Sequence, residues 1–394
     1  MTPMLLLTLN AGSSSIKLAL YEVRDQAAHE VGRGALDLHR TPLVLRLQLH
    51  GEAHALTLNA PVTESLHEVT DALLAELESH HALGELGAVG HRVVHGGLHF
   101  HGPVAIDATT LDAIEALTPL APLHQAHSVR LIRAVQALRP DLPQTASFDT
   151  AFHGTQADAV RRFALPEHWH NAGVRRYGFH GLSYAYIARA LAAFAPADAS
   201  GRVVALHLGS GASLCAMLDG RSVDSSMGFS TLDGVPMGTR CGALDAGVVL
   251  HLLQAQGLTV QQVEDLLYHR SGLLGLSGVS ADVRDLHASP APAAREALTI
   301  FAMRCAGEVA RLAASLGGLD ALVFTAGIGE HDAALRAMIA ERLTWMGLTL
   351  DDAANQRHGP CISSRDSRLR AYVLATDEER TIVDDMLHLL EASA

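Results

Sequence analysis

The sequence predicts an α/β protein of two related halves, each a mixed sheet with helices on its faces. Displacing the 394-residue chain by half its length lays Leu9, Gly12, Ser13 and Ala19 on Leu206, Gly209, Ser210 and Ala216 without a gap. In both places an apolar strand enters a Gly-Ser turn and a second apolar strand leaves it, as a duplicated unit would. The element order is the second observation: strands, helix, strand and helix follow one another as βββαβα, and the scheme restarts after Arg202. Length is the third, because 394 residues give two domains each a sizeable core. Four identities can also arise by chance in so apolar a chain, so the letters alone leave duplication and coincidence both open.

Strand signals fill the first 60 residues, ending with the alternation Leu43-Val44-Leu45-Arg46-Leu47-Gln48-Leu49. Helical periodicity runs from about Glu64 to His80, Ala88 to Val94 reads as a short buried strand, and Thr110 to Leu117 as a helix. In the second half the spacing of Leu298, Phe301, Cys305, Val309 and Leu312 predicts a long helix over 293–316, stopped by Gly317-Gly318. Asp320 to Thr325 reads as a strand entering a Gly-x-Gly turn at 326–330, with another helix from about Asp332. Thr376 and Glu379 have capping-box spacing at the start of the last helix. The domains expected are 1–150, completed by a C-terminal helix at 382–394, and 151–381, with ligand between the halves.

Composition excludes several classes. A formal net charge of −13 disfavours nucleic acid, whose phosphates need clustered basic residues. The apolar run Met4 to Leu7 is too short for a membrane span and lacks the basic flank of a signal peptide. Cys215, Cys241, Cys305 and Cys361 are far apart and form no CxxC, which fits a reducing cytoplasm. His91, His95, His99 and His101 cluster without an HExxH, so surface imidazoles are the simpler explanation than a metal site.

The chemistry begins at Lys17. It is the only lysine in the chain, and it follows Asn10-Ala11-Gly12-Ser13-Ser14-Ser15-Ile16. A Gly-Ser turn lets backbone N–H groups and hydroxyls approach anionic oxygens, and an ammonium adds a compact positive charge. A hairpin with a solvated lysine is the bland alternative. P-loop, dinucleotide and GxSxG hydrolase signatures are all missing. What remains is three Gly/Ser turns after strands and two arginines set singly among apolar residues, Arg92 in Val89-Gly90-His91-Arg92-Val93-Val94 and Arg240 in Pro236-Met237-Gly238-Thr239-Arg240. A buried arginine must be paired or bind an anion, so a structural salt bridge stays open beside a substrate role.

The chain resembles the acetate and propionate kinase family. The stretches that carry the resemblance are Leu9 to Lys17, Gly90 to Gly97, Ala121 to His124, Phe148 to His153, Arg175 to Gly181, His207 to Ser213, Val223 to Gly242, Phe324 to Glu330 and Thr376 to Glu379. The resemblance implies duplicated ribonuclease-H-like domains with five-stranded mixed sheets and an interdomain cleft. It implies ATP-dependent phosphorylation of acetate to acetyl phosphate, with ATP/ADP and Mg²⁺, or Mn²⁺ in its place, as cofactors. In that family Asn10, Ser13, Ser15 and Lys17 would line the phosphate end, and Arg92 and Arg240 would hold the carboxylate and the migrating phosphoryl group. His180 and His124 would donate to transition-state oxygens. Asp149 and Glu378, with Asn10, would hold the metal. His207, Leu208, Gly209, Ser210 and Gly211, the segment Asp282-Val283-Arg284, and Gly327, Ile328, Gly329 and Glu330 would bind nucleotide. Arg92, Val94, Leu123 and Thr231 would form the acyl site.

Departures from the family pattern bear on selectivity. Thr231 stands where a proline is common, Val283 where a phenylalanine is frequent, Ser210 where asparagine is usual, and His331 likewise. A propionate or butyrate kinase is the alternative within the fold, and an ATPase module of the actin or chaperone kind the alternative outside the enzyme class. The further expectations are a small-molecule substrate, no nucleic-acid or membrane partner, a cytoplasmic location and a homodimer.

Overall fold

The computed structural model describes residues 4–12, 15–79 and 85–393. The chain divides into two compact units, residues 1–151 with 377–394 and residues 152–376. The second boundary therefore lies at 376/377 and not at 381/382, because the last helix, Glu378–Ser393, belongs whole to the first unit.

The first unit contains β1 (Met4–Ala11), β2 (Ser15–Arg24), β3 (Ala27–Asp37), β4 (Leu43–Leu49), β5 (Glu52–Leu58), β6 (Glu85–Val93), β7 (Val104–Ala105) and β8 (Gln144–Phe148). They form one eight-stranded sheet in the order β5-β4-β3-β2-β1-β6-β8-β7, wider than the five strands expected. The alternating segment at 43–49 forms the hairpin partner of β5 and extends the antiparallel side of the same sheet. Helices His67–Ser79 and Pro122–Leu138 cover one face, where Leu73, Leu77, Leu131 and Val135 pack with Leu5, Leu7 and Leu9. The last helix covers the other face. It lies so close that a methyl group on Gly90 would come within 2.4 Å of Met386 Sδ and 2.6 Å of Ile382 Cγ2, so glycine is required there.

The second unit contains β9 (Arg202–Leu208), β10 (Ala212–Leu218), β11 (Arg221–Ser225), β12 (Ala321–Thr325) and β13 (Arg370–Val373), ordered β11-β10-β9-β12-β13. Its five strands run antiparallel, antiparallel, parallel and parallel in the same sense as β3-β2-β1-β6-β8. This shared topology resolves the open question from the letters in favour of duplication, with β1–β2 and β9–β10 as equivalent hairpins. The long helix spans Pro292–Leu316 and buries all five residues that predicted it, with Gly317 ending it in the left-handed region at φ 69. Gly181–Phe194 lies against the sheet through Tyr184, Ile187 and Leu191.

Two local expectations fail. Residues 326–330 are not an open turn but the helix Ala326–His331, entered through Ala326 at φ 63. Thr376 is not the cap of the last helix. Asp377 accepts from the Arg380 N–H there, while the Thr376 hydroxyl donates to Ser183 Oγ.

Candidate active site

Parallel strands align their carboxyl ends on one edge of a sheet, and polar residues at those ends become neighbours without being close in sequence. In the first unit that edge brings together Asn10 on β1, Arg92 on β6 and Asp149 just after β8. Arg92 Nε donates to Asp149 Oδ1 at 3.0 Å, Nη2 donates to Oδ2 at 2.6 Å, and Nη1 donates to Asn10 Oδ1 at 3.1 Å. Glu378 Oε2, from the start of the last helix, lies 3.7 Å from Nη1. Burial raises the Asp149 carboxyl above its ordinary value, opposed by Arg92. Desolvation alone would weaken the Arg92 guanidinium, but Asp149 and Glu378 beside it hold it above its ordinary value.

Lys17 stands opposite Asn10 in the β1–β2 register, so the two side chains share a face of the hairpin. The ammonium is exposed and its charge acts on Glu379, whose carboxyl burial pushes up. Ser15 closes the turn by accepting the Gly12 N–H at 2.8 Å. Ser13 lies outside the described residues, as does the Leu123 side chain. Val94 is buried. His124 lies in the first turn of Pro122–Leu138, next to Gln125, which ties that helix to the loop after β6. Gln125 Oε1 accepts the His95 N–H and Nε2 donates to the His95 carbonyl, both at 3.1 Å.

In the second unit a separate cluster forms around His180. This residue adopts the left-handed conformation, φ 57 and ψ 26, immediately before Gly181–Phe194. Its loop is fixed from behind by buried His153, whose Nε2 donates to the Phe179 carbonyl at 2.9 Å and whose ring leaves no room for a side chain at Gly178. His180 Nδ1 lies 2.8 Å from Ser213 Oγ, and its ring stacks on His207 at 4.2 Å between centroids. A methyl group placed on Gly211 would be 3.4 Å from His180 Nε2 and 3.2 Å from Arg240 Nη2, so both nitrogens converge on one glycine. Arg240 is in a loop, and Nη1 donates to the Thr231 carbonyl at 3.0 Å. Burial raises the Tyr268 phenol above its ordinary value, opposed by the Ser230 side chain, Arg240 and the Thr231 side chain beside it.

The remaining predicted nucleotide residues are more scattered in character. His207 and Leu208 end β9 and are buried, Gly209 to Gly211 form a hairpin turn with Ser210 exposed at its tip and both glycines half-buried, and Gly209 N–H donates to the Gly211 carbonyl at 3.0 Å. His207 Nδ1 lies 2.9 Å from Ser183 Oγ. Glu330 Oε1 accepts the Thr376 N–H at 3.2 Å. Asp282 caps the helix Val283–Ala288 and pairs with exposed Arg284, whereas Val283 is buried at 6% exposure. Gly327 and Ile328 are at least partly exposed and Gly329 is buried. Sequence reasoning did not single out Ser183, Tyr184 or Ser213, and it read Glu379 only as a capping-box residue. Ser213 lay at the end of the repeated Gly-Ser segment, which was the one available signal.

The oxygens of Asn10, Asp149 and Glu378 surround a guanidinium, and two carboxylates with an amide oxygen suit a hard divalent ion that keeps part of its water shell. Among the described residues no group of three His, Cys, Asp or Glu side chains is placed to hold a metal ion.

The profile of the Acetokinase family matches residues 5–384. The chain belongs to that family. An acetate kinase from Rhodopseudomonas palustris is 47% identical over 392 residues, covering 98% of each chain. The crystal structure of Porphyromonas gingivalis acetate kinase covers 98% of this chain and 100% of its own at 33% identity, with a TM-score of 0.87. A propionate kinase from Francisella tularensis gives 0.88 at 35% identity, covering 98% and 99%. The chain is thus an enzyme of a kinase family, and the duplicated ribonuclease-H-like fold expected from the motifs is the one it has. Among the described residues no helix is long and apolar enough to cross a membrane.

Proposed function

We propose that the protein catalyses ATP + acetate ⇌ ADP + acetyl phosphate by direct in-line transfer of the γ-phosphoryl group to a carboxylate oxygen. The observation that carries this reading is the convergence of His180 Nε2 and Arg240 Nη2 on Gly211. Phosphoryl transfer demands positioning and charge stabilisation more than covalent participation, and two nitrogen groups aimed at one small backbone site meet that demand. Arg240 and His180 act on the migrating group, with His124 as a further donor, and Arg92 holds the acetate carboxylate. Ser13, Ser15 and Lys17 hold the phosphate end of the nucleotide, and His207 to Gly211, Asp282 to Arg284 and Gly327 to Glu330 hold the remainder.

Asn10, Asp149 and Glu378 hold Mg²⁺, or Mn²⁺ in its place. When bound, the ion neutralises phosphate charge that Arg92 and Lys17 alone would leave in excess. Cytoplasmic location is part of the same reading, supported by four free cysteines. So is a homodimer. Helix Ala246–Gln254 buries none of its side chains although its sequence is AGVVLHLLQ, with Val248 39% and Leu250 53% exposed, and a second copy would cover it.

Thr231 favours a second acyl substrate, propionate, since it replaces the proline common at this place. Acyl hydroxamate formation with acetate, propionate and butyrate, each with ATP and Mg²⁺, tests the reading. Acetate should give the highest kcat/KM with propionate measurable, and no ATP-dependent product from any of the three acids would defeat it.

A further inference from the structure

We propose that Tyr184 and Ser213 are positioning residues that fix the tautomer of His180, so that its Nε2 is a hydrogen-bond donor. This rests on the reading that His180 donates to the transferring phosphoryl group.

The argument is one of proton polarity. Tyr184 is fully buried, and its hydroxyl lies 2.6 Å from Ser213 Oγ. Burial holds the phenol proton well above its ordinary range, so the group stays O–H. A buried O–H left without an acceptor is costly. The phenol proton then points to Ser213 Oγ, the acceptor the structure offers it. Ser213 is itself fully buried, and its own proton goes to its other neighbour, His180 Nδ1, at 2.8 Å. A neutral imidazole that accepts at Nδ1 carries its proton at Nε2.

The opposite polarity, with Ser213 donating to the phenol oxygen, would turn the fully buried Tyr184 O–H away from the acceptor 2.6 Å from it, a costly arrangement. His207, stacked on His180, is held in the same sense. Thr376 Oγ1 donates to Ser183 Oγ at 2.8 Å, which directs the Ser183 proton to His207 Nδ1 at 2.9 Å. The consequence is that both nitrogens converging on Gly211, His180 Nε2 and Arg240 Nη2, present N–H groups. A developing phosphoryl charge is stabilised by such preorganised donors, and the wrong tautomer would aim a lone pair at it.

The test is ¹⁵N NMR of the imidazoles in the intact protein, the His180 signals being assigned by their loss in His180→Asn. The wild type should show an unprotonated Nδ1 and a protonated Nε2. Tyr184→Phe and Ser213→Ala should mix or reverse that pattern and lower kcat about tenfold with the ATP KM nearly unchanged. Ser213→Thr, which restores a hydroxyl, should recover both readouts. A wild-type Nδ1–H form, or a pattern indifferent to Ser213→Ala, overturns the proposal. A changed tautomer with undiminished kcat overturns its catalytic half. Because the NMR pattern is read without substrate, failure of the acetate assay itself would be recognised separately.

Discussion

Arg92 spans both oxygens of Asp149, with its Nε 3.0 Å from Oδ1 and its Nη2 2.6 Å from Oδ2, and it does so where the carboxylate is 2% exposed. The pair is a buried structural element, and in the proposed reading a chemical one. Removing one partner of a buried pair leaves an uncompensated charge, which typically costs about 3–5 kcal/mol. Arg92→Ala should therefore lower the melting temperature and abolish activity together. Arg92→Lys keeps the charge but loses the planar fork, so kcat should fall about 10²–10³-fold while melting falls less than in the alanine variant. Equal melting losses in the two variants with normal kcat in Arg92→Lys would reduce Arg92 to a salt-bridge residue.

Glu378 offers a way to separate catalysis from folding. It sits in the first turn of the last helix, where a carboxylate is worth only about 0.3–1 kcal/mol through the helix dipole. It is also 3.7 Å from Arg92 Nη1. Glu378→Gln should leave melting almost unchanged, reduce kcat strongly, and shift the Mg²⁺ dependence of the residual rate to higher concentration. A large drop in melting temperature with unaltered Mg²⁺ dependence would assign the residue to structure alone.

How much of this was legible beforehand depended on whether the information was local. The strand and turn at 4–17, the strand ending at Val93 and the helix 292–316 could be read because hydrophobic spacing states them directly. Asn10, Arg92, Asp149 and Glu378 were each visible in motifs, and parallel pairing of β1, β6 and β8 explains why they meet. Thr376 was misread because its hydroxyl goes to Ser183, 193 residues away, leaving the cap to Asp377. Tyr184 and Ser213 were invisible for the same reason, their significance lying in a contact between a helix and a strand 29 residues apart. The first sheet was underestimated because alternation identifies a strand without saying which sheet it joins.

Buried histidines should make the protein sensitive to mild acid. His91, His95 and His153 are each held at about 4 by burial, well below the ordinary 6.5. Between those values the unfolded chain binds protons that the folded protein refuses, so stability is full above about pH 6.5 and falls as pH drops toward 4. Each ring should cost about 2 kcal/mol between pH 7 and pH 5. Denaturant unfolding across that range measures the slope. His91→Gln, which removes a titrating ring while keeping a donor for Gln144, should flatten it, and an unchanged slope would mean that His91 is protonated in the folded protein.

Thr231 decides the acyl range in this reading. Proline would fix φ and present only ring carbons, whereas threonine brings a hydroxyl that must find a partner. The Tyr268 phenol lies beside the Thr231 side chain, while the Thr231 carbonyl accepts from Arg240 Nη1 at 3.0 Å. That phenol offers the hydroxyl a polar partner. What threonine changes is shape and backbone freedom, which admits the longer acid. Thr231→Pro keeps the carbonyl that orients Arg240 and restores the ring surface. One methylene is worth about 1–3 kcal/mol of discrimination, so the acetate-to-propionate ratio of kcat/KM should rise about tenfold or more in the variant. A ratio that stays the same with kcat for acetate intact would show that residue 231 does not line the acyl site, and that its influence, if any, reaches the reaction through Arg240.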